Sequence, residues 1–508
     1  MLGACSSGDE DGDADQSGTP STEDERMSAP RLGPPDAGSL PLPAIEGPVT
    51  GGEGAPVLGP PGFDLAGVGY TEEEFFLSGD ATSYTSAEPL GEDGEWDVEP
   101  DSSAPYTTRV LVRRPTDPAA FDGTVVLEWL NVSGGLDASP DWSYTHNEII
   151  RRGSVWVGVS AQQAGIVGGG NPLGAALALK NADPVRYEAL DHPGDDHSYD
   201  IFSQAGTAAW FAPDELLGGL EPDMVIAMGE SQSAFRLTTY LNAVAPLTDV
   251  FDGYLVHSRA SSGAPLSEEL EAPDPTYSRT DLEVPVLVLS AETDLAGDRL
   301  GYARARQDDT DWFAGWEVAG TAHADSYNLG IADTDDGSGK GDDELFASMS
   351  DPPSSVYFDV ISCDLPINTG PHTYVARAAL ATVADWAHTG EAPAGQPRLE
   401  LDDTGDAFVV DEDGNAVGGI RTPQLDAPIA TLSGLGQAGD SFCALFGTTA
   451  PLSTDRLGEL YPDHDTFVDR WNESLDAAVD AGVVLDADAQ QLRRVAEQSS
   501  IGGGATSG

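Results

Sequence analysis

The chain has 508 residues, enough for one large or two medium domains around a buried core. Its 87 Asp and Glu against 23 Lys and Arg give a formal net charge of −64, a surface that repels phosphate backbones and anionic bilayers and so argues against a nucleic-acid partner. Such acidity suits a salt-rich habitat that screens self-repulsion, or an acid-biased composition; it bears on solubility and not on mechanism.

The chain opens Met1-Leu2-Gly3-Ala4-Cys5. Leucine, two small residues and a cysteine resemble the lipobox at which bacterial lipoproteins are cut and acylated, with Cys5 as the lipidated residue. Residues 6–45 carry Ser, Gly, Asp, Glu, Thr and Pro without an aromatic, so residues 1–45 read as a disordered acidic tether. The basic and apolar parts of a signal peptide do not precede Cys5, which implies a start inside a longer signal or a trimmed one. No apolar run reaches the roughly eighteen residues that a membrane span needs. The expectation is an extracytoplasmic protein, secreted or anchored at the cell surface as a lipoprotein, that meets the membrane only through a lipid at Cys5.

Residues 46–390 read as a catalytic core and 391–508 as a C-terminal region packed on it. Apolar runs predict strands at Arg109–Arg113, Thr124–Leu130, Ser154–Ser160, Met224–Met228, Val284–Ser290 and Trp316–Ala319, with a helix over Tyr199–Phe211. Alternating strands and helices imply a mostly parallel sheet with helices on both faces, whose ligands bind beyond the carboxyl ends of the strands. The insertion Ala161–Ser198 holds His192, Asp195, Asp196 and His197 in a spacing that fits no common metal-ligand pattern, so it reads as a hydrogen-bonded loop. Asp333–Asp336 lacks the regular register of a calcium loop and reads as solvated. In the C-terminal region Ala407–Val410 and Ala416-Val417 flank the turn Asp413-Gly414, predicting a hairpin, and helices are predicted over Leu460–Ala478 and Asp486–Glu497.

Three strand ends carry the chemistry. Gly229-Glu230-Ser231-Gln232-Ser233 follows one strand and precedes the helically spaced Leu237, Tyr240, Leu241 and Val244. A serine at the apex of a sharp strand-to-helix turn is how a nucleophile is presented, with small neighbours because the turn is tight. Ser233 stands where the pattern usually has glycine. The next strand runs into Glu292-Thr293-Asp294 and the one after into Gly320-Thr321-Ala322-His323. A serine hydroxyl needs an imidazole to take its proton, assigned to His323, and a carboxylate to hold that imidazole. Asp294 is favoured for the acid, with Glu292 also within reach. The oxyanion needs two amides: Gln232 supplies one, and the Asn131-Val132-Ser133-Gly134 loop after Thr124–Leu130 is the candidate for the other. No metal or organic cofactor is required. Cys363 and Cys443, an even pair once Cys5 is set aside, are candidates for a disulfide in an oxidising compartment.

These segments are similar to those of a bacterial alpha/beta-hydrolase family known only as an alpha/beta hydrolase domain. The resemblance rests on Glu128–Gly135, His192–Asp195, Ser198–Gln204, Gly229–Ser233, Val256–Arg259, Glu292–Asp294, Ala319–Asp325, Gly418–Pro423 and Phe442–Gly447, spread over most of the chain. It implies the α/β-hydrolase fold and a triad of Ser231, His323 and an acid. The function expected is that of a serine hydrolase cleaving a small carboxylic ester through an acyl-enzyme. Alternatives are an acyltransferase or amidase on the same triad, or a non-catalytic surface lipoprotein that keeps the fold for binding. Substrate and oligomeric state stay open.

Overall fold

The computed structural model describes residues 33–503, apart from 36–39, 55, 59–60, 170–171, 298, 357–358 and 441. Cys5 and most of the expected tether lie outside the described residues.

Nine strands form one sheet: β1 (Ala44–Glu46), β2 (Tyr70–Thr85), β3 (Glu99–Pro115), β4 (Thr124–Trp129), β5 (Val155–Val159), β6 (Met224–Glu230), β7 (Gly253–His257), β8 (Val286–Ala291) and β9 (Phe313–Val318). Their order is β1-β2-β3-β5-β4-β6-β7-β8-β9. β1 to β3 pair antiparallel, as do β3 and β5, while β5, β4, β6, β7, β8 and β9 run parallel. This is the mostly parallel α/β-hydrolase sheet that the resemblance implies. Every residue of β4 through β9 is buried, as expected of parallel strands covered on both faces, and it explains why these strands appear in the sequence as unbroken apolar runs.

The early antiparallel part differs from the expectation. Arg109–Arg113 is the buried end of a much longer β3, which pairs along nearly its whole length with β2, a strand the apolar pattern does not reveal. β2 carries Glu72, Glu73 and Glu74 among its first residues. Glu74 is nevertheless buried, accepting from Arg186 Nε at 2.5 Å and Tyr187 Oη at 2.9 Å. Those contacts tie the 161–198 insertion to the sheet edge, and a charge inside a strand is tolerated because it is paired.

Helix α1 (Pro140–Arg152) follows β4, α2 (Ser198–Phe211) follows the insertion, α3 (Gln232–Thr239) follows β6, and α4 (His372–Thr389) follows the core strands. α1 and α4 pack on each other, and α4 packs on β7 and β8. The C-terminal region extends this core. Ile420 lies beside the end of β9, with its amide on Glu317 O at 2.7 Å and its carbonyl accepting from Ala319 N at 3.0 Å. Helices His464–Asp480 and Asp486–Gln498 follow, and Asp488 of the second pairs with Arg151 of α1 and Arg377 of α4. The predicted hairpin around Gly414 is present but short: Val410 bridges Ala416 antiparallel, Val417 N donates to Val409 O and Asp411 N to Asn415 O at 2.8 Å each, and Leu401 bridges Phe408. Asp335 is buried rather than solvated: it accepts from Asn147 Nδ2 and Tyr327 Oη at 2.7 Å each and faces Arg377. A disulfide joins Cys363 to Cys443.

Candidate active site

Ser231 occupies the turn between β6 and α3 with φ 60° and ψ −123°. A non-glycine residue with positive φ is strained, and it persists only where the surroundings over-determine it. Here the Ser231 amide donates to His257 O at 3.0 Å, at the end of the adjacent β7, and its carbonyl accepts from Phe235 N at 3.2 Å. A Cβ on Gly229 would stand 3.1 Å from Ser233 Cβ. The tight turn therefore needs glycine before the apex, where the backbone closes against Ser233.

β8 ends in the short turn Glu292–Leu295 and β9 ends just before His323, so the parallel register brings both loops to the same sheet edge as Ser231. His323 Nε2 lies 2.7 Å from Ser231 Oγ, and His323 Nδ1 lies 2.6 Å from Asp294 Oδ1. The other oxygen of Asp294 accepts from Ala291 N at 2.7 Å. Asp294 is buried and His323 nearly so, whereas Ser231 keeps some exposure. The structure thus brings Ser231, His323 and Asp294 together.

Glu292 faces away from the imidazole. Its Oε1 accepts from Gly320 N at 2.6 Å and its Oε2 from Gly434 N at 2.8 Å. Burial pushes its carboxyl up to about 7 against those donors. Glu292 clamps the β8 turn to the β9 loop and to the C-terminal region, and Thr293 Oγ1 adds a bond to Gly434 O at 2.7 Å while accepting from His323 N at 3.2 Å.

The Asn131–Gly134 loop lies beside Ser231. Asn131 Nδ2 donates to Glu230 O at 3.0 Å. The loop closes on itself, with Asn131 N on Ala138 O at 2.9 Å and Ser133 N on Asn131 Oδ1 at 2.8 Å. Among the described residues no partner accepts from the amides of Val132 and Gln232. The loop is fixed from below by Glu128, which accepts from Asp141 N, Trp142 N and Trp156 Nε1 at 2.8–3.0 Å. From the side it is fixed by Asp137, which takes Arg109 Nη2 at 2.6 Å and Ser160 Oγ at 2.5 Å.

Several residues at this site were not assigned a role from the sequence. Glu230 sits inside the nucleophile motif; its Oε1 lies 3.4 Å from His323 Nε2. Burial, reinforced by Asp141, Asp294 and Glu128, holds its carboxyl well above the usual range. Asp141, His257 and His372 form a buried chain beneath the site, described below. His257 belongs to the Val256–Arg259 segment, but nothing in local spacing links it to residues on α1 and α4. In the insertion, His192 Nε2 faces Ala161 O at 2.9 Å and Asp195 accepts from Gln163 N at 2.9 Å and Arg236 Nη2 at 3.1 Å, an internally bonded loop.

The sequence profile of the alpha/beta hydrolase domain matches residues 45–494. The chain belongs to the alpha/beta hydrolase domain family. A search of curated proteins found no match to this alpha/beta hydrolase. Among solved structures it is similar to XC6422 from Xanthomonas campestris, described as a serine hydrolase without a lid, at 13% identity over 48% of this chain and 85% of that one, with a TM-score of 0.27. It is also similar to a putative dienelactone hydrolase from Klebsiella pneumoniae, at 10% identity over 46% and 79% of the two chains with a TM-score of 0.22. A glucuronoyl esterase from Solibacter usitatus aligns at 12% identity over 54% and 76%, with a TM-score of 0.27.

Proposed function

We propose that this alpha/beta hydrolase is a serine esterase that cleaves a small carboxylic ester in two steps. The observation that carries the reading is the unbroken contact from Ser231 Oγ through His323 to Asp294, 2.7 and 2.6 Å, built on a strained serine. His323 Nε2 takes the hydroxyl proton as Ser231 Oγ attacks the ester carbonyl, and it returns that proton to the departing alkoxide. Water then attacks the acyl-enzyme by the same route in reverse. Asp294 fixes the tautomer with Nδ1–H toward itself and balances the imidazolium that forms. The amides of Gln232 and Val132, which have no partner among the described residues, are assigned to the oxyanion. The engaged Asn131 and Ser133 amides hold the loop instead.

Export is part of the proposal. The Cys363–Cys443 disulfide suits an oxidising compartment, and the Cys5 lipobox supplies the anchor.

A fluorophosphonate probe with peptide mapping tests the reading. Label is expected on Ser231 and is lost in Ser231→Ala and His323→Ala; folded wild-type protein that takes no label refutes it. Nitrophenyl esters of graded chain length, run beside amides and acceptor alcohols, then separate esterase from amidase and acyltransferase.

A further inference from the structure

Directly beneath the triad runs a second buried chain of titratable groups that the proposed reaction does not use. Asp141 Oδ1 lies 2.7 Å from His257 Nδ1, His257 Nε2 lies 2.7 Å from His372 Nε2, and His372 Nδ1 lies 2.9 Å from Ala322 O. All three side chains are fully buried, and the Tyr144 ring packs against both imidazoles, with centroids at 5.4 and 4.6 Å. The chain touches both halves of the triad. Ala322 is the residue before His323, and the carbonyl of His257 receives the Ser231 amide. At its other end Asp141 opens α1, directly after the oxyanion loop.

The geometry fixes the number of protons. A carbonyl only accepts, so His372 Nδ1 carries a hydrogen. One proton must lie between the two Nε2 atoms and one between His257 Nδ1 and Asp141, because bare lone pairs facing each other at 2.7 Å repel and so do two opposed N–H groups. The unit therefore holds three protons and no net charge. Adding or removing one breaks a contact. Asp141 Oδ2 has no hydrogen-bond partner among the described residues, which suits a neutral acid and would leave half a buried carboxylate bare.

We propose that Asp141, as a neutral acid, with neutral His257 and His372 forms an uncharged strut that sets the position of Ser231 relative to His323. The proposal rests on the triad reading above. The titratable groups facing the strut are Glu128 on β4, Glu230 at the end of β6, Asp294 beyond β8, Tyr144 on α1 and His323; among the described residues no lysine or arginine joins them to favour a buried Asp141 carboxylate. Burial agrees, raising the Asp141 carboxyl well above its usual range and pushing both His257 and His372 down to about 3. An uncharged strut leaves Asp294 as the counter-charge to the His323 imidazolium while it holds the backbone of both partners. These three are positioning residues: they act through Ala322 and the Ser231 amide.

Side-chain ¹⁵N NMR of the whole protein, with signals assigned through His257→Gln and His372→Gln, reads the strut without reference to activity. Expected are a hydrogen on Nε2 of His257 and on Nδ1 of His372, unchanged from about pH 5 to about pH 9, a span that covers ordinary imidazole titration. Titration of either ring in that span, or an imidazolium signature in either, overturns the proposal. Kinetics supply the second arm. Asp141→Leu is expected to lower kcat on the order of 100-fold through misplacement, with KM little changed. Asp141→Asn, whose amide donates to His257 Nδ1 as the neutral acid does, is expected to rescue most of that loss. An Asn variant as impaired as Leu, or a Leu variant with full kcat, overturns it. Loss of the Ser231 label from wild-type protein whose ¹⁵N pattern is as expected marks failure of the triad reading; an intact label with titrating rings marks failure of the strut.

Discussion

Asp294 and Glu292 lie on one short turn after β8 and face opposite ways: Asp294 Oδ1 meets His323 Nδ1 at 2.6 Å, while both oxygens of Glu292 receive backbone amides from Gly320 and Gly434. Two acids two positions apart in sequence thus face separate partners, one toward the imidazole and one toward the frame that carries it.

Substituting each acid separates those two contacts. Asp294→Asn is expected to lower kcat by about 10⁴-fold through the wrong imidazole tautomer, with little loss of stability. Glu292→Gln turns one acceptor into a donor facing a backbone amide, at a cost of about 1–3 kcal/mol, while kcat per folded molecule stays near wild type. Steady-state kinetics beside urea denaturation read both, and the reverse pattern would exchange the roles.

Glu292 and Asp325 also predict the pH dependence of stability. Burial lifts both carboxyls to about 7 in the folded protein, above the ordinary carboxylate value they have when unfolded. Their favourable contribution is therefore complete below that ordinary value and is lost as pH rises through about 7. Each group adds a slope of at most about 1.4 kcal/mol per pH unit within that window. His257 and His372, held low in the folded protein, contribute the opposite slope below the ordinary imidazole range, so the Asp325 signal is read as a difference between proteins: the urea midpoint of Asp325→Asn minus that of wild type is expected to rise with pH across the window, and a constant difference contradicts the assignment.

Gly434 brings the C-terminal region against the catalytic turn. A Cβ there would meet Thr321 O at 2.5 Å, Glu292 Cβ at 2.6 Å and Thr293 N at 2.6 Å, mostly rigid atoms. Gly434→Ala is expected to cost about 1–3 kcal/mol as overpacking and to lower kcat by shifting the His323 loop. Gly458 is the control: it lies inside the helix Thr454–Leu460 with no atom near its absent Cβ. Gly458→Ala should therefore stabilise by about 0.5–1 kcal/mol. Thermal denaturation of the two variants should move in opposite directions.

The disulfide closes a loop with a sequence separation of 80 between Cys363 and Cys443, and that loop contains α4 and the Gly434 contact. Reducing it, or replacing both cysteines by serine, is expected to cost about 2–4 kcal/mol, mainly by releasing the unfolded chain. Non-reducing peptide mapping should recover the pair, and free thiols at both positions in exported protein would contradict it.

Most of the hydrolase core is legible in the chain. The buried parallel strands β4, β5, β6, β8 and β9 stand out because a strand covered on both faces must be apolar throughout, and Ser231, Asp294 and His323 stand out because each follows such a strand. Helix Ser198–Phe211 was visible for a similar reason, since its spacing is local. β2 was hidden because its exposed and paired acids mask any alternation. Which of Asp294 and Glu292 faces His323 emerges only in three dimensions, because it is a matter of side-chain direction on one turn. The tertiary structure alone showed that the Asn131 and Ser133 amides are occupied, and it alone assembled Asp141, His257 and His372 from α1, β7 and α4. Those pairings are long-range, and a chain carries no local periodicity for a contact made across a sheet and two helices.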